Sequence, residues 1–302
     1  MVDRWQYGDG AGPHDPAAEA WAAVLRALLC RGGVKQMRAD ADEAARRFAA
    51  AGIVLPVTAL CQGLALLLSG DPDGADAFFE GAISEGEGFG APDVVADALC
   101  ERSLLAMARD DWAAAGALAS QARAVVRRAG IEEPLVCAVH ARLALHRGDL
   151  PSAEQELVSA QRLRPLMTYA LPHLAVQTRL ELIRVRLAVA DPAGARTLMR
   201  EIDEVLKRRP DLGTLVGETR ALRARLSAER APSPSGASSL TIAELRVLPM
   251  LATHLSFPEI GAELFLSPHT VKSQAMSIYR KLGASSRNQA VIRSRELGLL
   301  EG

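Results

Sequence analysis

Leu266-Ser267-Pro268-His269-Thr270-Val271-Lys272 reads as the start of a helix built to present one polar side. Ser267 is a good N-cap, and Pro268 suits the first helical position, where a backbone N–H is not needed. From there Val271, Ala275, Ile278 and Leu282 recur at helical spacing, an apolar stripe that must face a core. The opposite side carries His269, Lys272, Ser273, Met276 and Arg280 in one row, a polar and partly cationic face suited to a DNA major groove.

The flanking text predicts three more helices. Thr241-x-x-Glu244 and Ser256-x-x-Glu259 are capping boxes followed by apolar patterns, and a last helix should begin at Ser286-x-x-Gln289 and stop at Gly298. Only Phe265 and Leu266 separate Leu264 from Ser267, so the second helix turns almost at once into the third, as a helix-turn-helix requires. Gly261 should leave room for close helix crossing. Pro249 lies well inside the first helix and should kink it or end it early.

Residues 240–302 therefore resemble the C-terminal DNA-binding domain of LuxR-type (GerE-like) transcriptional regulators. The matching text is Leu240-Thr241-x-x-Glu244-Leu245, Glu259-Ile260-Gly261, Leu266-Ser267-Pro268-x-Thr270-Val271-Lys272, Ile278 to Gly283, and Ser286-Arg287. The resemblance implies base reading from Lys272, Ser273 and Met276. It implies that Thr270, Lys281 and Arg287 lie near phosphates, and His269, Gln274 and Arg280 join them as further DNA-contacting candidates. Ala243, His254 and Gln274 depart from the family's usual Arg, Gly and His. By residue type alone, Arg280, Lys281 and Arg287 also fit a solvated face, and Met276 also fits a core.

Charge agrees with DNA binding in sign only. Residues 240–302 hold seven Lys and Arg against five Asp and Glu, or +2, and the remainder of the chain carries −3. Affinity should then depend on dimerisation and a few placed contacts rather than on bulk charge.

The preceding 230 residues are a different object: rich in Ala, Leu, Arg and Glu, without strand patterns, and internally repetitive. Aligning Asp71, Asp110, Asp149 and Asp191 places Ala75, Ala114, Ala153 and Ala195 four residues later, and Phe79, Leu118, Leu157 and Met199 eight later. The expected unit is a helical hairpin, with the Asp capping its second helix and the Ala allowing close approach. It is similar to the tetratricopeptide pattern at a period longer than the usual ~34, and to the repeats of MalT-like regulators, which end in a LuxR-type domain. No lysine follows a glycine, so the phosphate loop of the MalT-like ATPase is missing, and the chain reads as the C-terminal third of such a regulator standing alone.

The expected fold is thus all-α: a disordered 1–16, a helical-hairpin superhelix over 17–230, a Pro/Ser/Gly-rich linker at 231–239, and a four-helix helix-turn-helix domain at 240–302. The six histidines are scattered and no nucleophile motif appears, so neither enzyme activity, metal nor cofactor is expected. Cys30, Cys61, Cys100 and Cys137 sit about one per hairpin and read as buried thiols of a reduced, cytoplasmic protein. Residues 48–70 carry no charge, but Gly52, Pro56, Gln62 and Gly63 favour a buried repeat turn over a membrane span. The expected partners are double-stranded DNA, a second copy in a homodimer on DNA, and a protein or small-molecule effector at the repeats. The rival reading is a repeat scaffold whose helix-turn-helix has lost DNA binding.

Overall fold

The computed structural model describes residues 16–228, 240–264 and 266–300, so the expected disorder before Pro16 and the expected linker lie outside the described residues. Among the described residues there are fifteen α-helices and no strand. None of these helices is long and apolar enough to cross a membrane.

The first eleven helices are α1 (Pro16–Leu29), α2 (Gly33–Ala50), α3 (Pro56–Leu68), α4 (Pro72–Phe89), α5 (Pro92–Ala108), α6 (Trp112–Ala129), α7 (Pro134–His146), α8 (Leu150–Arg162), α9 (Pro172–Ala188), α10 (Pro192–Arg208) and α11 (Thr214–Ala228). The last four are α12 (Ile242–Leu251), α13 (Phe257–Leu264), α14 (Pro268–Lys281) and α15 (Arg287–Glu296). Backbone contacts group Met1–Val185 with Thr197–Leu222 in one compact unit, and Arg186–Arg196 with Arg223–Gly302 in a second.

In the first unit each helix from α1 to α8 packs on the next, and α1 on α3, α3 on α5 and α5 on α7 form a continuous inner layer. Each hairpin turns in the same way. Asp71, Asp111, Asp149 and Asp191 accept backbone N–H bonds from Gly74, Ala114, Ser152 and Gly194 at 2.9–3.1 Å, capping α4, α6, α8 and α10. The residue before each cap closes the preceding helix in the left-handed region: Gly70 at φ 88°, Asp110 at 62°, Gly148 at 72° and Ala190 at 58°. The expected register is therefore corrected by one residue in the second repeat. Asp110 fills the position that Gly holds in the first and third repeats and Ala in the fourth, and it turns its carboxylate to the Trp112 indole N–H at 2.6 Å, leaving Asp111 to cap. With that correction the residues four past each cap are Ala75, Ala115, Ala153 and Ala195, every one fully buried. A larger side chain there would push the paired helices apart.

The array also returns on its own start. Arg209 Nε donates to the Leu29 carbonyl at 2.8 Å, the Val34 N–H donates to Asp211 Oδ2 at 3.3 Å, and Thr214 Oγ1 donates to the Leu67 carbonyl at 3.4 Å. Gly213 sits at φ +56°, and a Cβ there would lie 1.9 Å from the Leu68 carbonyl oxygen, so only glycine allows this closure. Residues 48–70 form the end of α2, a turn and the buried α3. Cys30, Cys61 and Cys100 are buried and Cys137 partly so, all as free thiols.

The second unit's core gathers Val247, Leu248 and Leu251 of α12, Ile260 of α13, Val271, Ala275 and Ile278 of α14, and Ala290 of α15. Pro249 does not stop α12 at once. The helix runs two residues beyond it, to Leu251.

The one-residue correction is directly measurable. Asp111→Ala should lower unfolding stability by about 1 kcal/mol through loss of the cap, whereas Asp110→Gly, which relieves a left-handed side chain, should leave the denaturation midpoint within about 0.5 kcal/mol of the parent. The reverse order of losses would restore the first alignment.

Candidate nucleic-acid interface

Local sequence builds the helix-turn-helix. Thr241 Oγ1 accepts the Glu244 N–H while Glu244 Oε2 accepts the Thr241 N–H at 2.7 Å, a complete capping box at the start of α12. Glu259 Oε2 takes both the N–H and hydroxyl of Ser256 at the start of α13. Ser267 Oγ accepts the Thr270 N–H at 3.0 Å and caps α14, and Ser286 Oγ accepts the Gln289 N–H at 3.3 Å and caps α15. The Gln289 side chain reaches back to Ser285 rather than to Ser286. Gly298 stops the last helix at φ +68°. Gly261 serves the turn rather than a helix crossing: the Leu266 N–H donates to its carbonyl at 2.8 Å, and a Cβ at 261 would lie 2.6 Å from the Leu266 carbonyl oxygen.

The rotation of α14 about its axis follows from burial. Val271, Gln274, Ala275, Ile278 and Tyr279 are buried, and His269, Lys272, Met276 and Arg280 are exposed along the other side, with Ser273 and Thr270 at its margin. Met276 is 57 % exposed, so it belongs to the outward row and not to the core. No ion pair engages Lys272 or Arg280 among the described residues. Arg280 reaches only the Ser277 hydroxyl, at 3.5 Å. Thr270 Oγ1 lies 2.7 Å from Ser267 Oγ, at the N-terminal end of α14.

Of the other three expected DNA contacts, Gln274 is turned inward, and Lys281 and Arg287 have partners inside the domain. Gln274 is buried beside the apolar stripe, three residues from Val271, and its Oε1 meets no hydrogen-bond donor among the described residues. Lys281 Nζ donates to Glu244 Oε2 at 2.6 Å. Glu244 is only 2 % exposed. Burial raises its pKa, but the Lys281 hydrogen bond, the Thr241 N–H and the Lys281 charge outweigh it and hold the carboxyl below its usual range. Arg287 donates to four carbonyls at the end of α12: Nε to Leu251 at 2.9 Å, Nη1 to Leu255 at 2.7 Å, and Nη2 to Met250 at 3.0 Å and Thr253 at 2.8 Å. It thereby satisfies the carbonyls that a helix C-terminus leaves without partners. Sequence reasoning missed this clamp, because its partners lie more than thirty residues away. One signal pointed to it: a cation in the first turn of α15 opposes the helix dipole and needs another partner.

Fold and geometry together define a helix-turn-helix domain whose third helix turns a polar, partly cationic face outward. Residues 238–294 match the family described as bacterial regulatory proteins, luxR family. The chain is also 40 % identical over 72 residues to the transcriptional regulatory protein YdfI of Bacillus subtilis (strain 168), covering 24 % of this chain and 34 % of that protein. It is 34 % identical over 125 residues to the probable transcriptional regulatory protein NarL of Mycobacterium tuberculosis, in both the CDC 1551 / Oshkosh and H37Rv strains, covering 41 % of this chain and 48 % of the relative. The chain thus spans between a third and a half of the length of these relatives. Its C-terminal helices are a luxR-family helix-turn-helix domain.

If Arg287 clamps α12, Arg287→Ala should lower the stability of this domain by about 2 kcal/mol, read from its denaturant midpoint. The slope of log affinity for DNA against log salt should not change under conditions where the variant is folded. An unaltered midpoint with a slope smaller by about one would instead put Arg287 on a phosphate.

Proposed function

We propose that this protein is a DNA-binding transcriptional regulator that reads a duplex with the outward face of α14. The supporting observation is that Lys272, free of any ion pair among the described residues, shares that face with Ser273 and the exposed Met276. A buried side chain or a paired cation is poorly placed to meet base edges; these three are neither. Lys272 would donate to acceptors on a purine edge, Ser273 would exchange a hydrogen bond, and Met276 would lie against a thymine methyl or a base face. His269, Thr270 and the α14 N-terminus would meet one phosphate strand and Arg280 the other. Gln274, Lys281 and Arg287 would act through position, Gln274 and Lys281 by seating α14 against α12 and Arg287 by holding α15 on the end of α12.

The YdfI and NarL relatives carry the names of transcriptional regulators, which supports a regulatory rather than enzymatic role for this chain; a cytoplasmic location and a homodimer on DNA are part of the same proposal. The helical hairpins, with their MalT-like period, would receive the controlling signal.

A duplex selected from random sequence by the full chain provides the assay. Lys272→Ala should cost roughly 1–3 kcal/mol of binding to the selected site and leave binding to random duplex nearly intact. Equal losses on both would remove Lys272 from base reading.

A further inference from the structure

Among the described residues, the first unit holds a partly open cavity of about 270 Å³, lined from α3, α5, α7, α9 and α11. At ~30 Å³ per water it has room for about nine waters, just under the size of pockets that hold small ligands. Its lining is mixed: Leu68, Leu104, Leu105 and Leu215 contribute apolar surface, and Glu101, Gln177, Arg142, Glu181, Arg184 and Glu218 contribute polar and charged groups, often on the same helices.

The charges of that lining are unequally matched. Arg142 and Arg184 both donate to Glu181, and Arg184 also donates to Glu218, so both guanidiniums are engaged by carboxylates. Glu101 is 2 % exposed, accepts Nε2 of Gln177 at 2.7 Å through Oε2, and has no cationic partner among the described residues. Three carboxyls thus face two guanidiniums around a space that also touches leucines. A buried carboxylate without a counter-ion is costly. Burial accordingly pushes the Glu101 carboxyl up to about 8, with the charges of Glu181 and Glu218 adding to it and the Gln177 hydrogen bond opposing it.

We infer that this cavity binds a small amphipathic cation, a primary amine on a short apolar tail, with the ammonium on Glu101 and the tail against Leu68, Leu104 and Leu215. An ammonium supplies the one missing positive charge and three donors. An anionic ligand would instead have to displace Glu181 and Glu218 from the arginines while lying beside Glu101. The regulatory meaning of the site rests on the hairpins being the signal-receiving part; the binding itself is independent of DNA.

The test is titration calorimetry on the full chain with n-hexylammonium, hexanol and hexanoate near pH 7. Hexylammonium should bind at least tenfold more tightly than either of the others. Because Glu101 must ionise to pair with it, binding should release close to one proton per ligand, read from the heats in buffers of different ionisation enthalpy. Glu101→Gln, which keeps the shape and the contact with Gln177, should abolish both the preference and the proton release while circular dichroism stays unchanged. Hexanoate binding equally or better, absence of binding by all three at millimolar concentration, or unchanged amine affinity in Glu101→Gln each overturns the inference. Should that variant fail to fold, the wild-type preference decides alone, since equal binding of hexylammonium and hexanol removes the carboxyl from the site. A gel shift with the same protein separates the two proposals: lost amine binding with intact DNA binding rejects only the cavity, and the converse rejects only the regulator.

Discussion

The burial of Val271, Ala275 and Ile278 against α12 and α13 fixes the rotation of α14, and the proposed DNA surface follows from that rotation. All three are fully buried, as are Val247, Leu248 and Ile260 opposite them. Truncating Ile278 to Ala would cost on the order of 2–5 kcal/mol, which is a large share of the stability of a domain this small. The helix therefore cannot turn about its axis to bury Met276 or Lys272 without losing its hold. Lys281 on Glu244 and Arg287 on the end of α12 add directional bonds to this non-directional one. The first ties the end of α14 to the start of α12, and the second ties α15 to the end of α12.

In the hairpins the corresponding constraint is backbone proximity. A left-handed residue ends one helix, the adjacent Asp starts the next, and a buried Ala four residues on lets the two axes approach. Small residues at these contacts leave little room for error, which is why the one-residue shift at Asp110 and Asp111 matters to the packing. The same tight geometry brings Asp211 and Gly213 back onto the ends of α1 to α3. It brings residues of α11 beside α3, where both line the partly open cavity.

Local features were legible in the sequence because their causes are local. The four helix starts of the C-terminal domain depend on side chains three residues from the N–H they cap, and the outward placement of Met276 follows from a 3.6-residue period. Gln274 could have been assigned inward by the same count, since it follows Val271 by three and precedes Ile278 by four; its polar type and its family position hid that. Asp110 misled for a related reason, as an Asp at a left-handed position looks like a cap. The Arg287 clamp, the Lys281 bond to Glu244 and the return of residues 209–214 join positions from thirty to nearly two hundred apart. No periodicity encodes such pairs. The pairing of Arg142 with Glu181 and the isolation of Glu101 are of the same long-range kind.

The central claim, that the outward face of α14 is the surface that meets DNA, is tested most directly by photo-crosslinking. A benzophenone side chain placed at Met276 in the full chain, with Val158 of α8 as an equally exposed control, would be irradiated on a duplex that the protein selects. The account predicts a protein–DNA adduct from position 276 and none from 158. No adduct at 276 under conditions where the labelled chain still shifts that duplex would contradict it.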